Sequence, residues 1–257
     1  MNVRRALLAS LAAGALSGGA LFAVAAPAGA ATASYEANLA SVNNSGASGT
    51  LMLTLNGDQA TITEQASGLA ATFSNAPYPH VQHIHINGAG TCPTTAADTN
   101  GDGVISTTEG APAYGPIGTT LSTSGPTTPA AGTTLNIAPS GATINYSRTF
   151  TLDAATVAAI QANKAVIVVH GLDPSTLTTK AQGEKSDLVP SLPLAATSPA
   201  LCGVLAVSQT AAGNGGVATG AGGTSGTEDT GLLILGGSMI AGAAIVFGSR
   251  RYALKSN

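Results

Sequence analysis

Residues 50–63 read TLMLTLNGDQATIT, two runs of alternating apolar and polar residues on either side of Asn56-Gly57-Asp58. Alternation with a period of two is typical of a half-buried β-strand, and Asn-Gly between two such runs is a strong hairpin signal. The stretch therefore predicts an antiparallel β-hairpin, and the rest of the fold is built outward from it.

Further strand-like runs follow, separated by glycine, proline, asparagine and serine. One helix is predicted over residues 153–163, where Asp153 would cap the N-terminus and Val157 and Ile160 would share a face. Several short strands with a single short helix predict an all-β fold, an antiparallel β-sandwich or barrel. The remaining predicted strands are 81–86, 133–137, 144–152, 165–170 and 203–207.

The two ends of the sequence predict a surface-anchored protein. Residues 1–30 have the cationic start, apolar run and small-residue cleavage site of a secretory signal peptide. Residues 231–249 are apolar enough for a transmembrane helix and are followed by a basic tail, residues 250–257, which the positive-inside rule places in the cytoplasm. Residues 210–230 predict a flexible linker, so residues 34–209 form the extracellular domain. Thr230-Gly231 leaves open a second anchoring route, cleavage and attachment to the cell wall.

Charge narrows the range of partners. Only 8% of the residues are charged, and between residues 5 and 250 four cations stand against twelve acids, a net charge of −8. Such a surface repels phosphate backbones, which excludes a nucleic-acid partner, and it does not attract small anions.

Cys92 and Cys202 are the two cysteines of the sequence. An extracellular domain is exposed to an oxidising environment, so the pair is predicted to form a disulfide.

The four histidines are His80, His83, His85 and His170. Alternate residues of a strand share a face, so His83 and His85 would present two imidazoles to one side, and His170 closes another apolar strand. Three imidazoles suit copper or zinc, with His80 as a further candidate ligand. The alternative is that each imidazole only makes hydrogen bonds on a half-buried sheet.

Residues 98–109 read DTNGDGVISTTE and fit the calcium-binding loop of EF-hands. Proline and glycine on both sides predict flanks that are not helical, so the loop is interpreted as an insertion that Ca²⁺ orders. The alternative is a polar turn without an ion. The predicted ligands are Asp98, Asn100, Asp102, the carbonyl of Val104, Ser106 and Glu109.

The order of these motifs resembles that of Cu,Zn superoxide dismutase. HIHING at 83–88, Cys92, VVHG at 168–171 and LCGV at 201–204 follow one another as they do in that family. The stretch from SGT at 48–50 through SGL at 67–69 to His-Ile-His is similar to the chordin-type (CHRD) domain. The resemblance covers about residues 48–207. It implies a Greek-key arrangement of the strands in the β-sandwich, copper on the three motif histidines and a Cys92–Cys202 disulfide.

Two departures from the dismutase pattern bear on activity. No histidine lies between Asn87 and Val169, so the bridging and zinc ligands are missing, and Pro199 stands where the family has an anion-guiding arginine. The expected function is a cell-surface protein that binds Ca²⁺ and copper, with weak copper-only superoxide dismutation if it is an enzyme. The alternatives are a non-catalytic adhesion or scaffold module and a copper-binding protein of the envelope.

Overall fold

The computed structural model describes residues 32–208, which form a mostly β structure. The signal peptide, the linker, the transmembrane helix, the basic tail and the Thr230-Gly231 site predicted above lie outside the described residues. Within residues 32–208, no helix is both long enough and apolar enough to cross a bilayer.

The strands belong to a curled antiparallel sheet, a half-barrel, and to one small hairpin. Nine strands form the sheet in the order β7-β6-β9-β10-β1-β2-β3-β8, with β11 paired to β1. The hairpin is formed by β4 and β5. The strands are β1 Ala33–Ser41, β2 Ser48–Asn56, β3 Gln59–Ser67, β4 Thr72–Phe73, β5 Ala76–Pro77, β6 Gln82–His85, β7 Ile117–Thr120, β8 Thr143–Thr151, β9 Val166–His170, β10 Pro199–Val204 and β11 Ala206–Val207.

The predicted hairpin is confirmed as β2 and β3. Their pairing is continuous from Ser48 opposite Ser67 to Asn56 opposite Gln59, and Gly57 adopts a φ of 63° in the turn. A positive φ is cheap for glycine because it has no Cβ, so this residue allows the tight reversal. β3 then pairs with β8 along its whole length.

The main core lies on one face of the curled sheet. Leu51, Leu53 and Leu55 of β2 point into this core at alternate positions. Ile167 and Val169 of β9, a more distant strand of the same sheet, belong to the same core. On β9 the intervening residues, Val166 and Val168, pack with Cys202 into a second cluster on the opposite face. β9 is therefore buried on both faces, which explains its continuous apolar sequence.

The prediction of a single short helix is wrong. The predicted helix is confirmed as α2, with the Asp153 carboxylate accepting hydrogen bonds from the amides of Ala155 and Thr156. Short helices in the connections escaped prediction because local caps and tertiary packing, rather than apolar periodicity, specify them. The four α-helices of the described residues are α1 Thr107–Tyr114, α2 Ala154–Gln161, α3 Thr179–Gly183 and α4 Leu194–Thr197.

The predicted strand at 133–137 is also wrong. Its last three residues, Leu135–Ile137, form a 3₁₀ turn, and the backbone amides of Thr134 and Ala138 bond locally to Ala131 and Leu135. β7 occupies the place beside β6 at the edge of the sheet. The alternating pattern of residues 133–137 therefore belongs to a connection rather than to the sheet.

Candidate metal centre

His83, His85 and His170 converge on the face of the sheet opposite the main core, since they alternate along β6 and β9 with the core residues Ile84 and Val169. β6 pairs with β9 so that His83 lies opposite Val168 and His85 opposite Val166, which places His170 two residues along β9 from His83's partner on the same face. The ring centroids are 5.3 Å apart for His83 and His170, 5.5 Å for His83 and His85, and 6.0 Å for His85 and His170. The convergence that the motif order predicted is present.

The three imidazoles are spaced for one ion. One ring nitrogen from each lies within 4.8 Å of the others, close to the separation that two nitrogen–metal bonds of about 2 Å allow. Within residues 32–208, no other group of three or more His, Cys, Asp or Glu residues has this spacing. The site is buried, since each of the three side chains is 3% exposed.

Backbone carbonyls fix the orientation of each ring. His83 Nε2 lies 3.0 Å from the carbonyl oxygen of Gly132, and His85 Nδ1 lies 2.7 Å from that of Gly115. His170 Nδ1 contacts the carbonyl of Thr197 at 2.5 Å. Because a carbonyl can only accept, the contacting nitrogen carries the proton and the other nitrogen keeps a free lone pair. Such contacts typically hold metal-ligating histidines in place.

Two of these three nitrogens are buried and have no protein partner. His83 Nδ1 and His85 Nε2 are buried and make no hydrogen bond. A buried polar atom without a partner costs free energy, about 1–3 kcal/mol, so this pair of atoms calls for a ligand. An imidazole nitrogen with a free lone pair is a suitable ligand for copper and zinc. The residues present therefore fit a metal ion.

Burial keeps the three rings neutral, which metal binding requires. It is the main cause that lowers the pKa of His85 to about 3 and that of His170 to about 4, with the neighbouring His170 adding to the effect on His85. The pKa of His83 is also well below its usual range, through burial and then through His170 and His85. Near neutral pH no proton competes for the lone pairs.

His80 lies apart from the other three histidines. Its two ring nitrogens each lie 2.9 Å from a backbone carbonyl oxygen, those of His170 and Ala70. No nitrogen remains for a metal, so the structure does not bring this predicted additional ligand to the cluster. His80 instead contacts the backbone of His170 and helps to hold this ligand's position.

Two glycines allow the segment beside His85 to fit. Gly115 has a φ of 87°, and a Cβ there would come within 2.1 Å of the carbonyl oxygen of Ile86. A Cβ on Gly88 would approach the amide nitrogen of Gly115 to 2.3 Å. These close backbone approaches set the position of the carbonyl that holds His85. The sequence marks these residues only as glycines near the motif, and nothing in it identified the carbonyls of Gly132 and Thr197.

The three histidines line a cavity of about 690 Å³. Most of its other lining residues are apolar or aromatic, with Tyr114 packed against His85 at a ring distance of 4.6 Å. The lining contains no Lys, Arg, Asp or Glu. No local pattern in the sequence predicts this cavity, because its walls come from connections that are distant along the chain.

The predicted calcium loop is compact and leads directly into a helix. α1 begins at position ten of the loop, with a capping box between Ser106 and Glu109, so the prediction of non-helical flanks is wrong on this side. On the other side a 3₁₀ turn, Thr95–Ala97, precedes the loop. The proline that argued against a helix, Pro112, lies inside α1, where the capped first turn and the packing of Tyr114 offset its missing amide.

Backbone amides already surround the predicted calcium ligands. The Asp98 carboxylate accepts hydrogen bonds from Gly101 and Gly103, and Asp102 accepts one from Val104. Glu109 accepts from the amides of Thr99, Asn100 and Ser106, and these bonds hold its pKa below the usual value against the opposing effect of partial burial. The loop thus orients all three carboxyl groups, and it favours the ionised form of Glu109.

The predicted disulfide is present between Cys92 and Cys202, with Cα atoms 5.8 Å apart. It joins the segment that follows β6 to β10 and lies in the second apolar cluster, beside Val166 and Val168. The disulfide therefore fastens the segment that covers the histidine face.

No family model matches this sequence, and no curated protein matches it.

Proposed function

We propose that the chain is a cell-surface copper-binding protein, whose extracellular domain holds one copper ion on His83, His85 and His170. The observation that carries the proposal is the pair of buried, unpartnered nitrogens in a cluster of three neutral imidazoles, each fixed by a backbone carbonyl. Copper, when bound, supplies one-electron redox chemistry. The structural alternative, histidines that only make hydrogen bonds in a scaffold module, leaves these two nitrogens unexplained.

Superoxide dismutation is a second candidate, supported by the order of the motifs along the chain. The Greek-key arrangement implied by the same resemblance is part of this proposal, supported by the long crossing from β3 to β6. No Lys or Arg lines the cavity, and Pro199 stands where the dismutase family has its anion-guiding arginine. Nothing in the cavity wall would therefore attract superoxide, so the expected rate is low. Anchoring to a membrane or cell wall likewise rests on the sequence pattern of residues 210–257.

Substitution of any one of the three histidines by alanine is expected to abolish stoichiometric copper binding. Two imidazoles hold a copper ion far less tightly than three, and the substitution also leaves a cavity. The measurement is copper content by elemental analysis after loading and dialysis of the full chain, with zinc loading in parallel to identify the preferred metal.

His80→Asn is the matched control, because it removes a buried imidazole that offers no free nitrogen. This variant should retain one copper ion per chain even if its melting temperature falls. Equal copper content in the wild type and in the variants of His83, His85 and His170 would contradict the proposal.

We also propose that residues 98–109 bind one Ca²⁺ that rigidifies the domain. The loop's backbone contacts the segment before α4, through Thr178 to the carbonyl of Asp102 and Lys180 to the carbonyl of Asn100. An ion that orders the loop would therefore also steady a wall of the histidine cavity. α1 begins within the loop and leads out of it, as the second helix of an EF-hand does, and this supports the interpretation.

Removal of calcium is expected to lower the thermal stability of the domain. A site with a Kd of about 10⁻⁴–10⁻³ M contributes about 1.5–3 kcal/mol at about 10 mM Ca²⁺. Melting temperatures with excess Ca²⁺ and with chelator, recorded for the wild type and for Asp98→Ala, measure the effect. Asp58→Ala, an exposed residue of the β2–β3 turn, is the control and should respond to calcium as the wild type does. Equal melting temperatures of the wild type in both conditions would rule the ion out.

A further inference from the structure

The cavity above the three histidines is much larger than a small anion needs. At about 690 Å³ it falls within the range of about 300–1,000 Å³ that small-molecule sites occupy. The histidines form only one part of its wall, and the remainder comes from α1, from the segments before β6 and α4, and from the connection between β7 and β8. The cavity therefore has room for an organic ligand of several atoms beside the histidine cluster.

The charges around this cavity disfavour an anionic ligand. No charged side chain lines it, and two aspartates lie close enough to affect two tyrosines in its wall. Burial first and then Asp173 raise the pKa of Tyr78, and burial first and then Asp187 raise that of Tyr114. A ligand that carries negative charge would meet these acids without a compensating cation.

The rim of the cavity is apolar and open to solvent. Among residues 32–208, three large hydrophobic side chains are exposed, namely Leu135 at 45%, Leu188 at 51% and Val207 at 50%. Two of the three, Leu135 and Leu188, line this cavity. Exposed leucines at a concave site are typical of ligand-binding grooves.

Three aromatic rings, those of Phe73, Tyr78 and Tyr114, line the cavity wall. Tyr114 packs on His85, and Phe73 stacks on Tyr78 with centroids 5.0 Å apart. Planar ligands gain from offset stacking on such rings in addition to the area that they bury. The free nitrogens of His83 and His85 provide the polar end of the same site.

We infer that the cavity binds a small, uncharged, largely apolar aromatic molecule, which lies against the leucine rim and directs one nitrogen or oxygen donor at the histidine cluster. The inference rests on the proposed function for the metal that this donor would meet, whereas the apolar part of the site stands on the cavity alone.

The test compares two probes that share a donor and differ in their apolar body, imidazole and 4-phenylimidazole, with azide as the anionic probe. Each is titrated by calorimetry into the full chain, both metal-free and copper-loaded, and copper electron paramagnetic resonance records whether the donor reaches the metal. The phenyl group should tighten binding at least about tenfold through the apolar area that it buries, and azide should bind more weakly than 4-phenylimidazole.

Variants of the leucine rim test the contribution of the apolar cavity separately from that of the metal. Leu135→Ser with Leu188→Ser should reduce the preference for 4-phenylimidazole at least about fivefold without changing copper content. Val207→Ser removes an equally exposed residue away from the cavity and should leave the preference unchanged. Binding of both azoles within a factor of two in both metal states, or tighter binding of azide, would overturn the inference. Absence of copper in the loaded chain would instead overturn the proposed function, and the metal-free titrations would then decide the cavity.

Discussion

Replacement of Cys92 and Cys202 together by alanine is expected to lower the free energy of unfolding by about 4–5 kcal/mol. The disulfide closes a loop with a sequence separation of 110 residues, and a closed loop of this length restricts the unfolded chain strongly. The bond also fastens the segment that carries the calcium loop and Gly115. Denaturant titration of the wild type and the variant measures the loss.

Reduction of the wild type provides the matching control. A reductant should bring the wild type to about the stability of the double variant and should leave the variant itself unchanged. A difference between wild type and variant of less than about 1 kcal/mol would show that the segment is held by its packing rather than by the disulfide. Copper content of the variant then shows whether the histidine cluster depends on this fastening.

Glu64→Gln is expected to stabilise the protein by about 3 kcal/mol at pH 7. Glu64 lies on the buried face of β3 with 1% of its surface exposed, and neither carboxyl oxygen makes a hydrogen bond. Burial raises its pKa to about 8, against a smaller opposing effect of the Gln82 amide. Near neutral pH the folded protein therefore keeps a proton on Glu64 that the unfolded chain has already released.

The sign of the pH dependence follows from this raised pKa. Below the unfolded pKa of 4.5 both states are protonated and the carboxyl carries no penalty. Between pH 4.5 and about 8 the unfolded state binds fewer protons, so stability falls as the pH rises, by about 1.4 kcal/mol per unit. The substitution should thus be almost neutral near pH 4 and increasingly stabilising up to about pH 8.

Unfolding free energies of the wild type and Glu64→Gln from pH 4 to 9 test this prediction. Glu36→Gln on β1 removes one negative charge from a half-buried position and controls for the change in net charge. A constant difference between wild type and Glu64→Gln across this range would mean that the carboxyl reaches a partner or water in the folded state.

The strands were predictable where side chains alternate or where turn chemistry is strong. The hairpin at residues 50–63 and the helix capped by Asp153 follow from local signals, and the structure confirms both. Residues 133–137 show the limit of this reasoning, since alternation is also compatible with a connection whose Leu135 lines a cavity. The position of Glu64 was implied by the same period of two, because it shares a face with Ile62 and Ala66.

The candidate site was predictable in its ligands but not in its surroundings. His-x-His in a strand places two imidazoles on one face, which is a local rule. The neighbourhood of β6 and β9 is a long-range property of the sheet, and only the order of the motifs pointed to it. The carbonyls of Gly115, Gly132 and Thr197 come from irregular connections, where a backbone group carries no signature of its own in the sequence.

The two ends of the described domain lie side by side, since Tyr35 pairs with Val207 and the amide of Ser208 donates to the carbonyl of Ser34. Tension applied between these ends would pull the antiparallel strands β1 and β11 apart from their shared end. The hydrogen bonds would then break one after another, as in a zipper, and not all at once as in shear. If the domain were attached at one end only, no force would act between β1 and β11. Attachment at a single end therefore suits the mechanical properties of this strand pair.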